Sequence, residues 1–475
     1  MATEAETLET TLPRPSRPRA EFDLPLVLDR VSTEPLSAQL TRQLRATMRE
    51  GRLAAGERLP SSRALAATLQ VSRTVVTETY QQLYAEGWLD GRHGSGTFVA
   101  DLAPQPAPQR ARERRAAPSR ATEPEGMIDL RPGVPWVGDL NTPAWRRAWR
   151  LAATVTPAAR TDPYGLIGLR AAVVEHIRRT RGIGCAIDQV LITRGATSGL
   201  DLLAATVLRP GDRVGVEEPG YRKARSVLAA RGAEVVPCPV DEHGLIVDGL
   251  PGDLRIVYTT PSHQYPLGGV LPVPRRQALI AWARRTGALI AEDDYDSEFR
   301  YDVAPLPALY GVGPEVVVYL GTTSKTLTPN VGVGWLVSGV DLIEQIARQR
   351  AAVSDRTAVV PQEAVRVLLE RGDLDRHVRR MRAEYARRRA TIVEALRDLP
   401  MGGDSAGLHL VVRLPAATAD RLVGDAERHG LLLDALDRHF VGPVTVSGLV
   451  VGYGSARLQD IKRGCALLRR LVDAP

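Results

Sequence analysis

Lysine is nearly missing from this chain. Of 62 strong bases only Lys223, Lys325 and Lys462 are lysines, and the rest of the positive charge is arginine. Cysteine is as sparse: Cys185, Cys238 and Cys465 are odd in number and far apart. They offer neither a disulfide framework nor a zinc-ligand spacing, so no metal is expected and a reducing cytoplasm fits. No apolar run approaches the roughly 18 residues of a membrane span. The opening Met1-Ala2-Thr3-Glu4-Ala5-Glu6 is acidic with no apolar core, which excludes a signal peptide and leaves no membrane partner expected. At 475 residues the chain exceeds one ordinary core, so two or more domains are expected. A net charge of +7 permits nucleic-acid binding without demonstrating it.

Residues 1–20 are polar and proline-spotted and read as a disordered tail. A first domain follows over residues 21–100. Leu36, Leu40, Leu44 and Met48 recur every four residues, the stripe of an amphipathic helix ending at Gly51. Ser61 or Ser62 caps a short second helix, and Ser72 caps a third that carries Val76, Tyr80 and Leu83 on one face. Gly91 to Val99 is a glycine-tipped β-hairpin. This order is that of a winged helix-turn-helix, whose recognition helix meets base edges with its first turn. Ser72, Arg73 and Thr74 stand there, with Arg73 suited to a bidentate guanine contact; Ser61 and Arg63 are placed for phosphates. Arg92, His93 and Gly94 at the hairpin tip are suited to a minor groove or the backbone. The competing reading is a small helical domain that docks on protein. Leu59-Pro60-Ser61-Ser62-Arg63, Val71-Ser72-Arg73-Thr74-Val75 and Gly94-Ser95-Gly96-Thr97-Phe98-Val99 resemble the DNA-binding domain of GntR-type bacterial regulators, which implies double-stranded operator DNA as partner.

Residues 101–126 are rich in Pro, Ala and Arg without periodicity and read as a linker. From Met127 to Pro475 helical and strand patterns alternate, the rhythm of an α/β domain with a parallel sheet, followed by a small C-terminal α+β lobe. Candidate strands are 190–193, 213–216, 255–259, 288–292, 316–320 and 333–337, then 408–414 and 444–451. Lys325 ends a hydroxyl-dense turn after one of them, in Gly321-Thr322-Thr323-Ser324-Lys325. A chain that otherwise uses arginine has a reason to keep a primary amine if that amine forms a Schiff base. A solvated surface lysine is the alternative. Glu292-Asp293-Asp294-Tyr295 at a neighbouring strand end supplies an acid and a phenol, and together these are what pyridoxal phosphate (PLP) needs. Gly195-Ala196-Thr197-Ser198 lies between strand and helix, where amides and the helix dipole favour an anion such as the PLP phosphate. Tyr221 offers a ring to stack on the pyridine, with ordinary packing as the alternative, and Gln264 and Tyr265, after a further strand, are expected to approach the ring oxygen.

Asp162-Pro163-Tyr164-Gly165, Glu218-Pro219-Gly220-Tyr221, Ser262-His263-Gln264-Tyr265-Pro266, Glu292 to Tyr301 and Gly321 to Lys325 resemble the fold-type I aminotransferases. Joined to the GntR-like head, the chain resembles the MocR subfamily of regulators. The resemblance implies that Lys325 forms the Schiff base with PLP, Asp293 pairs with the ring nitrogen, Tyr295 meets the ring hydroxyl, and Thr322 and Ser324 join the phosphate ligands. It implies a homodimer as well. Three departures accompany it. Gly332 stands where the family carries a phosphate-gripping arginine, seven residues after the lysine. Val450 stands where a strand-borne arginine clamps an amino acid's carboxylate. Arg160 replaces a tyrosine that reaches the partner subunit's phosphate, and is expected to restore the guanidinium lost at Gly332. Without the clamp, efficient transamination is not expected unless Arg222 or Arg225 substitutes for it. The reading is a PLP-binding transcriptional regulator that senses PLP or a small amino compound. The alternatives are a working aminotransferase with an appended head, and a regulator whose second domain only dimerises.

Overall fold

Each of the first three helices begins where the sequence places a helix-starting residue. In the computed structural model, which describes residues 25–92, 96–101, 126–302, 304 and 306–473, α1 (Leu36–Arg49) follows Pro35. Helix α2 (Ser62–Leu69) is capped by the Ser61 hydroxyl, which accepts from the Ala64 amide. Helix α3 (Arg73–Ala85) is capped by Ser72, which accepts from Val75. Leu40, Leu44, Met48, Leu65, Val76 and Leu83 close one small core among them. Strand β1 (Leu89–Arg92) pairs antiparallel with β2 (Gly96–Val99). The Tyr84 hydroxyl donates to Thr97 Oγ1 at 2.9 Å and so ties α3 to the hairpin. The expected tail over residues 1–20, His93 and Gly94 at the hairpin tip, the Arg92 side chain, and all but the ends of the 101–126 segment lie outside the described residues.

The chain divides into two compact units, residues 1–120 and 121–475. The second begins with β3 (Ile128–Asp129), α4 (Pro143–Ala152) and α5 (Ile167–Arg181). There follow β4 (Val190–Thr193), α6 (Ala196–Val207), β5 (Arg213–Glu218), α7 (Arg222–Ala230), β6 (Glu234–Asp241) and β7 (Gly244–Leu245). Strands β8 (Ile256–Thr259), β9 (Leu289–Asp294), β10 (Val317–Thr322) and β11 (Gly334–Val337) complete an eight-stranded sheet in the order β4-β11-β10-β9-β8-β5-β6-β7. Pairings from β10 through β9, β8 and β5 to β6 are parallel, whereas β11 runs against both its neighbours and β7 against β6. Strands β4, β8, β10 and β11 are buried throughout, as sheets covered on both faces require. A second sheet, Met401–Gly402, His409–Arg413, Gly448–Gly452 and Asp434–Ala435 in that order, forms the small lobe with the helix Leu458–Asp473.

The strand expected over 444–451 is found at Gly448–Gly452, and among the elements not expected are β6 and the helix Val359–Glu370. Strand β6 escapes a sequence reading because it contains Pro237 and Pro239; β7 pairs only with Val240 and Asp241, so both prolines stand where β6 is the edge of the sheet and a missing donor is tolerated. The helix Val359–Glu370 begins with Pro361 in its first turn, the one part of a helix where proline removes no internal hydrogen bond.

Candidate functional site

The ends of β4, β5, β8, β9 and β10 deliver their following turns to a single cavity of about 580 Å3. Lys325 enters from beyond β10. Its ammonium donates to the Gly133 carbonyl at 2.5 Å, and burial lowers its proton affinity while Asp296 and Asp293 oppose that effect. Strand β9 alternates its acids as a pleated strand must. Glu292 accepts the Leu309 and Tyr310 amides at 2.8 and 2.9 Å, and Asp294 is held by Arg181 and the Tyr319 hydroxyl, each at 2.6 Å. Asp293 alone of the three lines the cavity. Its Oδ2 accepts from the Tyr258 hydroxyl at 2.5 Å, and its buried Oδ1 has no partner among the described residues. Burial raises its pKa from 3.8 to about 7, against the pull of the Tyr258 hydrogen bond.

Across the cavity, Gly195 leads into α6 with φ +119°, a conformation that suits glycine. A Cβ there would stand 3.5 Å from Thr322 Oγ1 and 3.8 Å from Ser324 Oγ, so the turn lies directly against both hydroxyls. Ala196 and Thr197 continue the turn along the cavity wall. Tyr221 meets Tyr265 edge-on with ring centroids 5.7 Å apart. The Tyr295 hydroxyl donates to the His263 carbonyl at 3.0 Å and lies 3.0 Å from His263 Nδ1.

Lys325, Asp293, Tyr295, Tyr221, Tyr265, Ala196, Thr197, Thr322 and Ser324 thus line one space, while three other expected residues do not. Ser198 sits one position further along α6, away from the wall. Gln264 is a brace: its amide donates to Glu217, to the Pro219 carbonyl and to the Tyr265 carbonyl, at 3.2, 3.0 and 2.7 Å. Arg160 is exposed and outside the cavity of its own chain. Arg225, expected as a substitute carboxylate clamp, is committed to Glu218 at 2.6 Å and the His439 carbonyl at 2.7 Å; Arg222 does line the cavity. Val450 is buried in an apolar cluster with Val411 and Leu436, so no cation stands at that position. Gly332 adopts φ +59° at the end of a 3-10 turn.

Sequence reasoning passed over Arg194, Lys223, Tyr258, Asp296, His409 and His439, all of which line the cavity. His409 and His439 arrive from the small lobe through contacts that no local pattern encodes. Asp296, within the quoted motif, pairs with His263 at 3.0 Å.

The residues fit PLP. An unpaired buried carboxylate oxygen suits a protonated ring nitrogen, the glycine turn with two hydroxyls suits a phosphate, and an amine of lowered proton affinity suits an aldehyde.

In the first unit, Ser61, Arg63, Ser72, Arg73 and Thr74 are all exposed. Arg73 Nε donates to Ser62 Oγ at 3.3 Å, which joins the first turns of α2 and α3.

Residues 36–99 match the family "Bacterial regulatory proteins, gntR family", and residues 125–438 match "Aminotransferase class I and II". The chain is 38% identical over 436 residues to the HTH-type pyridoxine biosynthesis transcriptional regulator PdxR of Corynebacterium glutamicum, covering 91% of this chain and 95% of that protein. It is 34% identical to the probable rhizopine catabolism regulatory protein MocR of Rhizobium meliloti, covering 94% and 95%. Among solved structures it resembles LysN, the α-aminoadipate aminotransferase of Thermus thermophilus, complexed with N-(5'-phosphopyridoxyl)-L-leucine. That likeness has a TM-score of 0.66 at 25% identity and covers 74% of this chain and 92% of that one. PLP is therefore the cofactor of the second unit, and DNA the partner of the first. The chain belongs to the MocR subfamily of GntR-type transcriptional regulators, in which a helix-turn-helix head is joined to an aminotransferase domain.

Proposed function

We propose that this regulator works in the cytoplasm as a homodimer, reads paired half-sites, and takes PLP itself as its signal for the control of vitamin B6 synthesis. The observation that carries the reading is the cavity's asymmetry. It holds an amine, a buried acid and a hydroxyl-lined turn suited to a coenzyme, whereas the position of the family's carboxylate clamp is the buried, apolar Val450. The 38% identical PdxR supports vitamin B6 as the controlled pathway. An amino-compound effector is the second reading, favoured by Arg222 and Lys223, which stand on the cavity wall beside Tyr221.

When bound, PLP supplies an aldehyde for covalent attachment and an electron-accepting ring. Lys325 would be the attaching amine, Asp293 the acid for the ring nitrogen, and Tyr221 the aromatic for the ring. Tyr295 and Tyr265 would serve the ring hydroxyl. The Gly195–Thr197 turn, Thr322 and Ser324 would hold the phosphate. In the head, Arg73 reads a guanine, with Ser72 and Thr74 beside it, while Ser61 and Arg63 grip phosphates. The head spans residues 21–100, and the effector and dimerisation domain spans 127–475.

The test is a PLP titration of the protein bound to a labelled operator fragment, read by anisotropy. Operator affinity is expected to change by about tenfold, a typical coupling, and Lys325→Ala should abolish both the change and the visible cofactor band. An unchanged affinity with PLP, together with a response to an added amine, transfers the signal to the amino compound. Multiple turnovers of an amino acid to its keto acid at enzyme-like rates would overturn the regulator-only reading.

A further inference from the structure

The cofactor reading leaves a charge unaccounted for. A phosphate at the Gly195 turn meets hydroxyls and amides, and the family's arginine is replaced by Gly332, which has no side chain to offer. Arg194 immediately precedes Gly195 and lines the same cavity. Its position is fixed by an ion pair of 2.9 Å to Asp355, and Asp355 is in turn 3.3 Å from the buried Arg350. Arg350 donates to the Ile192 and Pro163 carbonyls, at 2.5 and 2.9 Å, so the chain Arg350–Asp355–Arg194 is anchored in the end of β4 itself. Arg194 nonetheless keeps 56% of its side chain exposed, with donors beyond those used by Asp355.

Of the other cations on the wall, Arg222 and Lys223 follow Tyr221 at the start of α7, and Lys325 is given to the aldehyde. Among the described residues that line the cavity, Arg194 is the cation next in sequence to Gly195, whose turn touches Thr322 and Ser324. A guanidinium presents parallel donors that match a phosphate, and such charge-assisted pairs are about twice as strong as neutral hydrogen bonds.

We propose that Arg194 is the phosphate-binding cation of this site and replaces, within the same chain, the guanidinium absent at Gly332. Asp355 is a positioning residue that holds it beside the turn. The assignment makes Arg160 of a second copy unnecessary for that charge, and it rests on the cofactor reading.

The test compares PLP with pyridoxal, which shares the aldehyde and ring but lacks the phosphate. Both are titrated into cofactor-free full-length protein and followed by absorbance. Arg194→Gln should raise the dissociation constant for PLP by about tenfold or more and that for pyridoxal by less than about twofold, since only one ligand loses a charge-assisted pair. Arg194→Lys should recover part of the loss, and Arg160→Ala should leave the PLP-to-pyridoxal ratio near that of the parent protein. Equal losses for both ligands in Arg194→Gln, or none, would overturn the assignment. A ratio that collapses in Arg160→Ala but not in Arg194→Gln would give the charge to the second copy instead. Failure of the parent protein to bind either ligand would reject the cofactor reading, a result distinct from all of these.

Discussion

At the scale of single residues, the acid run of β9 shows how much one sequence can announce. The alternation of a strand separates Asp293 from Glu292 and Asp294, but the choice of Asp293 as the acid for the ring came from the family resemblance. What the sequence hid is the environment: Tyr258 on the neighbouring strand reaches Asp293 only through sheet pairing. Because burial lifts the Asp293 pKa to about 7 from 3.8, the folded state holds the extra proton between those values. Stability of the cofactor-free protein is then lost as pH rises through that window. Asp293→Asn should remove the penalty, with a gain over the parent protein that grows from about pH 4 to pH 7 and is on the order of 2–4 kcal/mol above it. Denaturant melts at several pH values measure this, and a gain that is flat with pH would refute it. The same variant should bind PLP far more weakly. Gly332 makes the opposite case: its φ of +59° is invisible in the sequence. Restoring an arginine there with Gly332→Arg should cost about 1 kcal/mol of stability through the left-handed backbone, measurable as a lower melting midpoint.

At the scale of elements, caps and hydrophobic stripes were the readable signals. The stripe of α1 and the serine caps of α2 and α3 are local, and the structure places all three helices where those signals stand. Strand β6 and the helix Val359–Glu370 were opaque because their prolines are tolerated only by virtue of position, on a stretch of sheet edge that β7 does not cover and in a first helical turn. The small lobe's contribution of His409 and His439 was opaque for a different reason, since it depends on how one sheet meets another. Ser72→Ala should cost about 1 kcal/mol by leaving the Val75 amide without its acceptor. The head's transition in a calorimetric scan of the full chain should move down accordingly. Arg73→Ala should instead leave that transition in place and relax discrimination at one base pair by about 1–3 kcal/mol, as read from binding to operators substituted at each position.

For the whole molecule, the logarithm of operator affinity is expected to fall linearly with the logarithm of salt concentration, as released counterions require. Arg63→Ala should shallow that slope by about one while weakening all sequences alike. If the protein binds as a two-fold dimer, altering the half-site separation by half a helical turn should abolish cooperative binding, and altering it by a full turn should not. The unpartnered Oδ1 of Asp293 has a consequence at this scale as well. A coenzyme that offers it a positive ring relieves a strain the polypeptide carries alone, so occupancy and folding become thermodynamically linked. Heating with and without PLP should show the midpoint climbing with concentration. When PLP is scarce the protein is then expected to be not only unloaded but easier to unfold and to degrade, so that coenzyme supply would set how long the folded chain lasts.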